Sequence, residues 1–304
     1  MHSQSDVKVQ RQVSPTVLST KVQAYWSLIK SRQTFLLVLT GWAGYGTTTC
    51  PITHWQTALL LVASLLLAIS GATVLNMAID SDIDAKMERT RRRPLPSGVL
   101  SLKEVIIFGC LLSVLGVGWS LLLDPFYGLV VLAGLLINVV VYSLALKRRT
   151  HFSIVFGGVA GGIPVLAGRI MGIGRIDAIG LLLALAVLLW IPMHIMTFSI
   201  KYSKDYGQAN IPTFPSVYGV NITRKVITIS TIFASLSIIL ACFLLQMNGI
   251  CFYLLMILSF SLIAAALVYL MRPSPKLNLG LFKAASVYML GSMLLLGLFN
   301  LPGF

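Results

Sequence analysis

Charge is what this chain has least of. Only 11% of its 304 residues are Asp, Glu, Lys or Arg, and only nine of those are acidic. Soluble globular domains carry about a quarter charged residues. The shortage excludes an ordinary soluble fold, whose wetted surface would need far more ionised groups. Cysteine is also sparse. Cys50, Cys110, Cys242 and Cys251 form no CxxC pair and lie in or near apolar runs, so they read as small buried residues rather than a disulfide or metal set. No 20–50-residue period repeats, which gives no sign of a solenoid; two polar loops hint only faintly at two halves. Gly157, Gly158, Gly161 and Gly162 lack the GxGxxG spacing and a preceding strand, so they are not a phosphate loop. No Ser/His/Asp or Cys/His grouping offers a covalent nucleophile.

Apolar length is what the chain has in abundance. Hydrophobic residues make up 57% of it, in runs long enough to cross a bilayer, which takes roughly 20 residues. The fold expected is all-α: a polytopic bundle of nine transmembrane helices near 27–49, 57–80, 102–123, 126–146, 152–172, 178–200, 224–247, 249–271 and 281–303. Basic residues set its orientation. Of the 23 Lys and Arg, all but Arg169 and Arg175 fall in the N-terminal segment or in the second, fourth, sixth and eighth loops. That asymmetry puts the N-terminus and those loops in the cytoplasm. It also explains the net charge of +14 as topological, with no nucleic-acid partner expected. Residues 1–24 are polar, lack a signal-peptide core and read as a disordered cytoplasmic tail, with one transmembrane domain over 25–304.

One stretch departs from this apolar background. Asn76–Gly98 reads NMAIDSDIDAKMERTRRRPLPSG. Asn76, Asp80 and Asp84 recur every four residues, and a helical step of four turns a side chain only about 40°, so all three share a face. Asp82 points elsewhere. One amide and two carboxylates form an oxygen site for a hard cation. Mg²⁺ is usually held by one or two carboxylates plus substrate phosphates, and Arg89, Arg91, Arg92 and Arg93 follow as phosphate partners. The stretch reads as a metal-bridged diphosphate site at the end of a transmembrane helix.

Other polar residues face the same compartment. Lys147, Arg148 and Arg149 close the fourth span, where each taken alone is ordinary positive-inside charge. Asn138 within that span is expected to bond a neighbouring helix. His194 lies in an apolar helix, where ionisable side chains are uncommon. Lys201, Lys204, Asp205 and Tyr206 then emerge, and Asp205 is a third carboxylate that could face Asp80 and Asp84. Lys30, Arg32, Tyr25 and Trp26 read as interfacial anchors.

Such a site suits an allylic diphosphate. Mg²⁺ on carboxylates neutralises the leaving group as its C–O bond breaks, and Arg and Lys take up the developing charge. The allylic cation needs a water-poor cavity, which transmembrane helices supply together with lateral access for a lipid tail.

These residues carry a resemblance. NMAIDSDIDAKMERTRRRPLPSG is similar to the first signature, NxxxDxxxD, of the UbiA-type membrane prenyltransferases. Together with YSLALKRRTHFSIVFGGVAGGIP, KYSKDYGQANIPTFPSVYG and a weaker LFKAASVYMLGSMLLL, it resembles the branch that farnesylates protoheme IX. The resemblance implies that Asn76, Asp80, Asp84 and Asp205 bind Mg²⁺ and farnesyl diphosphate. It implies diphosphate or substrate contacts from Arg89, Arg93, Lys147, Arg148, Lys204 and Tyr206, and a role for His194 toward protoheme IX. It further implies an integral membrane enzyme surrounded by membrane lipid, in the inner membrane if the source is bacterial, with its active site on the cytoplasmic side. Its product would supply heme O, directly or by way of heme A synthase, to terminal oxidase assembly. The chain departs from the pattern at KSR for KPR, at WIPMHIMTF for WTPPHFW and at Arg169 where tryptophan is common, which touches the acceptor pocket more than the diphosphate site. Two other readings remain: a relative using a quinone precursor or another aromatic acceptor, and a cation-coupled transporter. Against the transporter, the charges gather at one face rather than at mid-bilayer.

Overall fold

The computed structural model describes residues 17–48 and 54–300; Cys50 and the first sixteen residues lie outside them. Among the described residues every secondary-structure element is a helix. Helix α1 (Val17–Leu28) and α2 (Ser31–Gly46) divide the first expected span, and residues 17–24, read from the sequence as the end of a polar tail, are helical. The division falls at Lys30, whose left-handed φ of 48° turns the chain between them. Then come α3 (Trp55–Ile79), α4 (Ser81–Lys86), α5 (Leu102–Leu123) and α6 (Pro125–Leu136), which runs on as a π-helix over Ile137–Leu146. The rest of the bundle is α7 (Ser153–Ile173), α8 (Ala178–Lys201), α9 (Ser203–Gln208), α10 (Phe214–Leu244), α11 (Gly249–Met271) and α12 (Pro275–Leu298). Eight of these segments are long and apolar enough to cross a membrane: α3, α5, α6 with its π-helical extension, α7, α8, α10, α11 and α12.

The helix ends follow local chemistry. Ser101 and Glu104 form a capping box at the start of α5. Asp124 accepts from the Tyr127 amide with Pro125 as the first residue of α6, where a missing N–H costs nothing. Asp177 caps α8 through the Gly180 amide, and Ser274 caps α12 through Leu277. Inside α10, Gly219 leaves the helical region at φ 79°, ψ 163° and kinks the helix, a backbone state that suits glycine.

In sequence order α3, α5, α6, α7, α8, α10, α11 and α12 pack as neighbours around a ring, which α2 closes by touching both α12 and α3. Helix α2 also meets α7, and this pair joins two apolar cores. Val38, Tyr45, Leu166, Ala167 and Ile170 belong to a core shared with α3, α5 and α6. Leu39, Ala43 and Val165 belong to a second, shared with α8, α10, α11 and α12. Lipid tails are as apolar as leucine, so helices within a bilayer associate through close packing rather than water exclusion. Glycine makes that approach possible here: a Cβ at Gly168 would run into the carbonyl oxygen of Gly41.

Candidate active site

The row Asn76, Asp80, Asp84 survives a break in the helix. Helix α3 stops at Ile79 and α4 starts at Ser81, with Asp80 between them at φ −87°, ψ 3°. The amide of Asp80 still donates to the Asn76 carbonyl at 2.9 Å, and that of Asp84 to the Asp80 carbonyl at 2.8 Å. The four-residue stagger therefore holds across the junction. Asp80 and Asp84 are buried, at 7% and 5% exposure. A buried carboxylate is costly unless paired, and both have cations. Arg93 Nη1 donates to Asp84 Oδ2 at 2.6 Å, and Lys147 Nζ donates to Asp80 Oδ2. The other oxygen of Asp80, Oδ1, is buried and accepts no hydrogen bond. An anionic oxygen kept dry and unpartnered fits a ligand to a cation.

The loop after α4 folds back to bring Arg93 into place. Thr90 donates from its hydroxyl to the Asp84 carbonyl at 2.9 Å, and turns through Met87, Thr90 and Arg93 close the segment. From the other side comes the π-helix. Asn76 donates to Asn138 Oδ1 and accepts from Ser143 Oγ, the latter at 2.7 Å. Asn138 therefore bonds a neighbouring helix as its sequence context suggests, and its partner is the first residue of the motif. Asn76 Oδ1 thus already accepts one bond. π-helical segments are rare and cluster at functional sites.

Lys30 is a neighbour of the acidic row that sequence reasoning did not place there. Read as an interfacial anchor, it sits in the turn ahead of α2 beside the acidic row. Burial, with the charges of Arg93 and Lys147 close by, pushes its ammonium down to about 8 against the pull of Asp80 and Asp84. The nearest signal was its place just before a polar-to-apolar switch, which is shared by many anchors. Burial also works against the Lys147 ammonium, but the electrostatic influence of nearby Tyr142 and of the Asp80 carboxylate, with the hydrogen bond to Asp80, holds it above the ordinary lysine range.

Below this polar end lies an apolar chamber. Lys30, Gln33, Asn76 and Asn138 form its rim, and Leu37, Leu65, Ala72 and Ile163 are among its walls. From Asn76 to Leu65 is eleven residues of α3, or roughly 16 Å at 1.5 Å per residue.

The other expected residues fall in different places. Arg148 makes two bonds to the Asp82 carboxylate, at 2.7 and 2.8 Å, and one to the Ile79 carbonyl at 2.6 Å. It clamps the end of α3 instead of presenting a free guanidinium, and it holds the Asp82 carboxyl below its usual range. Arg89 lies 4.9 Å from the Phe198 ring and 5.5 Å from that of Tyr202. Tyr206, Ala209 and Ile211 pack on Ile83 and Met87, so α9 docks on α4 and the two polar loops meet. Burial raises the Tyr206 phenol, against the lowering effect of the Arg89 and Lys147 charges. Asp205 is half-buried on α9. Among the described residues, no three His, Cys, Asp or Glu side chains converge to hold one ion, so Asp80, Asp84 and Asp205 are not a three-carboxylate cage. Lys204 is exposed.

His194 stands away from the acids on α8. Its ring stacks between Trp190, 4.7 Å away at 21°, and Phe282, 4.3 Å away at 24°. Its Nδ1 is buried without a partner. Phe282 in turn neighbours Phe198, so an aromatic series runs from His194 to Arg89.

Comparison with known proteins agrees with this geometry. The profile of the UbiA prenyltransferase family matches residues 36–290. A protoheme IX farnesyltransferase from Korarchaeum cryptofilum is 42% identical over 219 residues, 71% of this chain and 73% of the relative. One from Archaeoglobus fulgidus is 38% identical over 275 residues, 90% of this chain and 95% of the relative. The structure of a UbiA homologue from Archaeoglobus fulgidus bound to GPP and Mg²⁺ superposes with a TM-score of 0.66 at 16% identity, over 90% of this chain and 99% of that one. Its low identity speaks to the fold alone, but the family match covers most of the sequence. This chain is a multi-pass membrane protein and belongs to the UbiA prenyltransferase family.

Proposed function

We propose that the protein transfers the farnesyl group of farnesyl diphosphate to a vinyl group of protoheme IX, giving heme O. One observation carries the reading: a buried Asp80 oxygen has no partner in a cluster with Asp84, Arg93, Lys147 and Lys30, and Lys30 and the preceding Asn76 of the same row line an apolar chamber. The name shared by the two relatives supports protoheme as acceptor.

Mg²⁺ fits the residues present. Asp80 Oδ1 is free to ligate, Asp84 lies one helical turn on, and Asn76 can add an amide oxygen. Two carboxylates with diphosphate oxygens meet the usual needs of this ion. Asp205, on α9, does not join Asp80 and Asp84 in one carboxylate group and is left out of this ligand set. When bound, Mg²⁺ supplies charge neutralisation for the departing diphosphate.

The chain's own residues do the rest. Lys30, Arg93 and Lys147 outnumber the two acids and attract the diphosphate. The chamber wall holds the isoprenoid tail and excludes water from the allylic carbon. The C–O bond breaks with its electron pair on the diphosphate. The terminal vinyl carbon bonds to the freed allylic carbon, and water adds to the cationic carbon left on the side chain, releasing a proton. His194, between its aromatic neighbours, positions the acceptor ring. Arg89, Lys204 and Tyr206 line the approach to the diphosphate, and Arg148 acts through Asp82.

In the membrane, α2 is the ninth span and the N-terminus is cytoplasmic, as the basic loops require. The site then faces the cytoplasm, in the inner membrane if the source is bacterial, and the product passes to heme A synthase or oxidase assembly. The test is direct: purified protein, farnesyl diphosphate, Mg²⁺ and protoheme are incubated, and mass spectrometry looks for farnesylated heme. Product with a quinone precursor and none with protoheme would move the chain to a different acceptor.

A further inference from the structure

A second cavity, of about 640 Å³, opens at the same end of the bundle. It lies between the end of α8, the start of α10, the end of α11 and the start of α12. Its lining includes Lys201, Arg224 and Lys276, and among the described residues no Asp or Glu borders it. Among the described residues no carboxylate pairs with any of the three cations; Arg224 bonds the Asn221 amide oxygen, and Lys201 lies 5.1 Å from the Tyr202 ring. Like charges gathered around one cavity repel. The start of α12 at Ser274, Pro275 and Lys276 adds the positive end of a helix dipole. The floor is built and rigid: Tyr269 donates to Asn278 Oδ1 at 2.9 Å, and Asn278 Nδ2 donates to the Thr197 carbonyl at 2.8 Å. Ile200, Val220 and Leu279 supply apolar wall.

Positive-inside topology accounts for basic residues in these loops, but not for three of them meeting at one pocket without an acid. We infer that this cavity binds the phosphate of an anionic phospholipid, with its acyl chains against the apolar wall. Basic pockets between transmembrane helices on the cytoplasmic side take anionic headgroups in this way, at about 1 kcal/mol per Lys or Arg. The chemistry shared with free phosphate is the anion; the apolar wall favours the lipid.

The site is tested on the full chain in nanodiscs of phosphatidylcholine with a minor share of phosphatidylglycerol. Native mass spectrometry counts the retained lipid. The wild type should retain phosphatidylglycerol over phosphatidylcholine. The triple variant Lys201→Gln, Arg224→Gln, Lys276→Gln should lose that preference by about a hundredfold, and Lys276→Gln alone by about fivefold. Farnesyl transfer in pure phosphatidylcholine should be the same in the wild type and Lys276→Gln, because Lys276 is outside the residues assigned to the diphosphate site and its chamber. The single change is at an exposed position and keeps the test valid if the triple variant misfolds. Equal phosphatidylglycerol retention by wild type and Lys276→Gln would overturn the inference. So would displacement of the retained lipid by millimolar inorganic phosphate, which would make this a free-anion site.

Discussion

Each end of the bundle has a buried ion-pair cluster, and the two differ in what they leave undone. At the start of α8, Arg169 gives two bonds to Asp177, at 2.7 and 2.6 Å, and one to the Thr47 hydroxyl at 2.8 Å. Asp177 in turn accepts from the Gly180 amide at 2.9 Å. Every charge there is spoken for, and the cluster ties the α2, α7 and α8 ends together. At the other end of α8, the Asp80 and Asp84 cluster has a carboxylate oxygen with no partner and a lysine held in an unfavourable state. Saturated pairs hold a fold; unsaturated ones wait for something to bind.

The sharpest way to break this contrast is at Asp80. Asp80→Asn keeps the shape and the Lys147 contact but removes the charge. Turnover should fall by about 10³-fold, while the melting temperature falls by less than for a fully broken buried pair, because the asparagine oxygen still accepts from Lys147. Chelating Mg²⁺ should stop the wild type to the same extent, with recovery on adding it back. Retained turnover in Asp80→Asn, or indifference to chelator, would remove Asp80 from the chemistry and make both clusters structural.

The complementary change is Arg169→Met. It strands Asp177 and should destabilise the protein by about 3 kcal/mol, the low end for breaking a buried pair, because Asp177 is partly exposed. Activity per folded molecule should stay near wild type. Burial raises the Asp177 carboxyl, but the Arg169 bond and the Gly180 amide outweigh it and hold it below its usual range. The pair's contribution is therefore present above the ordinary aspartate pKa and is lost as pH falls through the lower folded value. Acid titration of melting temperature should show that loss in the wild type and not in Arg169→Met.

A smaller effect is expected at His194, which lies in neither cluster. His194→Ala should reduce kcat/KM for protoheme about tenfold, as loss of a positioning contact, with little change in farnesyl diphosphate binding. Equal losses for both substrates would take His194 off the acceptor side.

The difference between the clusters also marks what the sequence could say. The apolar runs announced the long helices, because hydropathy is a local property. The four-residue stagger of Asn76, Asp80 and Asp84 was legible for the same reason and outlasted the break at Asp80. What joins distant segments was not legible. Arg148 looked like a diphosphate contact, and only the meeting of α3 and the π-helix shows it clamped on Asp82. Asp82 had been assigned no partner at all. Lys30 looked like an anchor because its lowered pKa arises from burial at a turn and from the charges of Arg93 and Lys147, 63 and 117 positions away by sequence number. Arg169 registered as an exception in the loop charges and as a departure from the family pattern, and its partner Asp177 gave no signal.

Lys30 offers the finest test of the unsaturated cluster. Its ammonium titrates near 8 in the free protein, lowered by burial and by its two cationic neighbours. As pH rises through that value the site loses one of three positive charges and should hold the diphosphate less well. The pH dependence of kcat/KM reports the free enzyme, so kcat/KM for farnesyl diphosphate should drop a few-fold between about pH 7 and pH 9. In Lys30→Met the profile should be flat over that range, at the level the wild type reaches at its alkaline end. A variant that still declines with a midpoint near 8 would assign the titration to another group. Lys30 would then belong with Arg169, as a charge the fold uses and the chemistry does not.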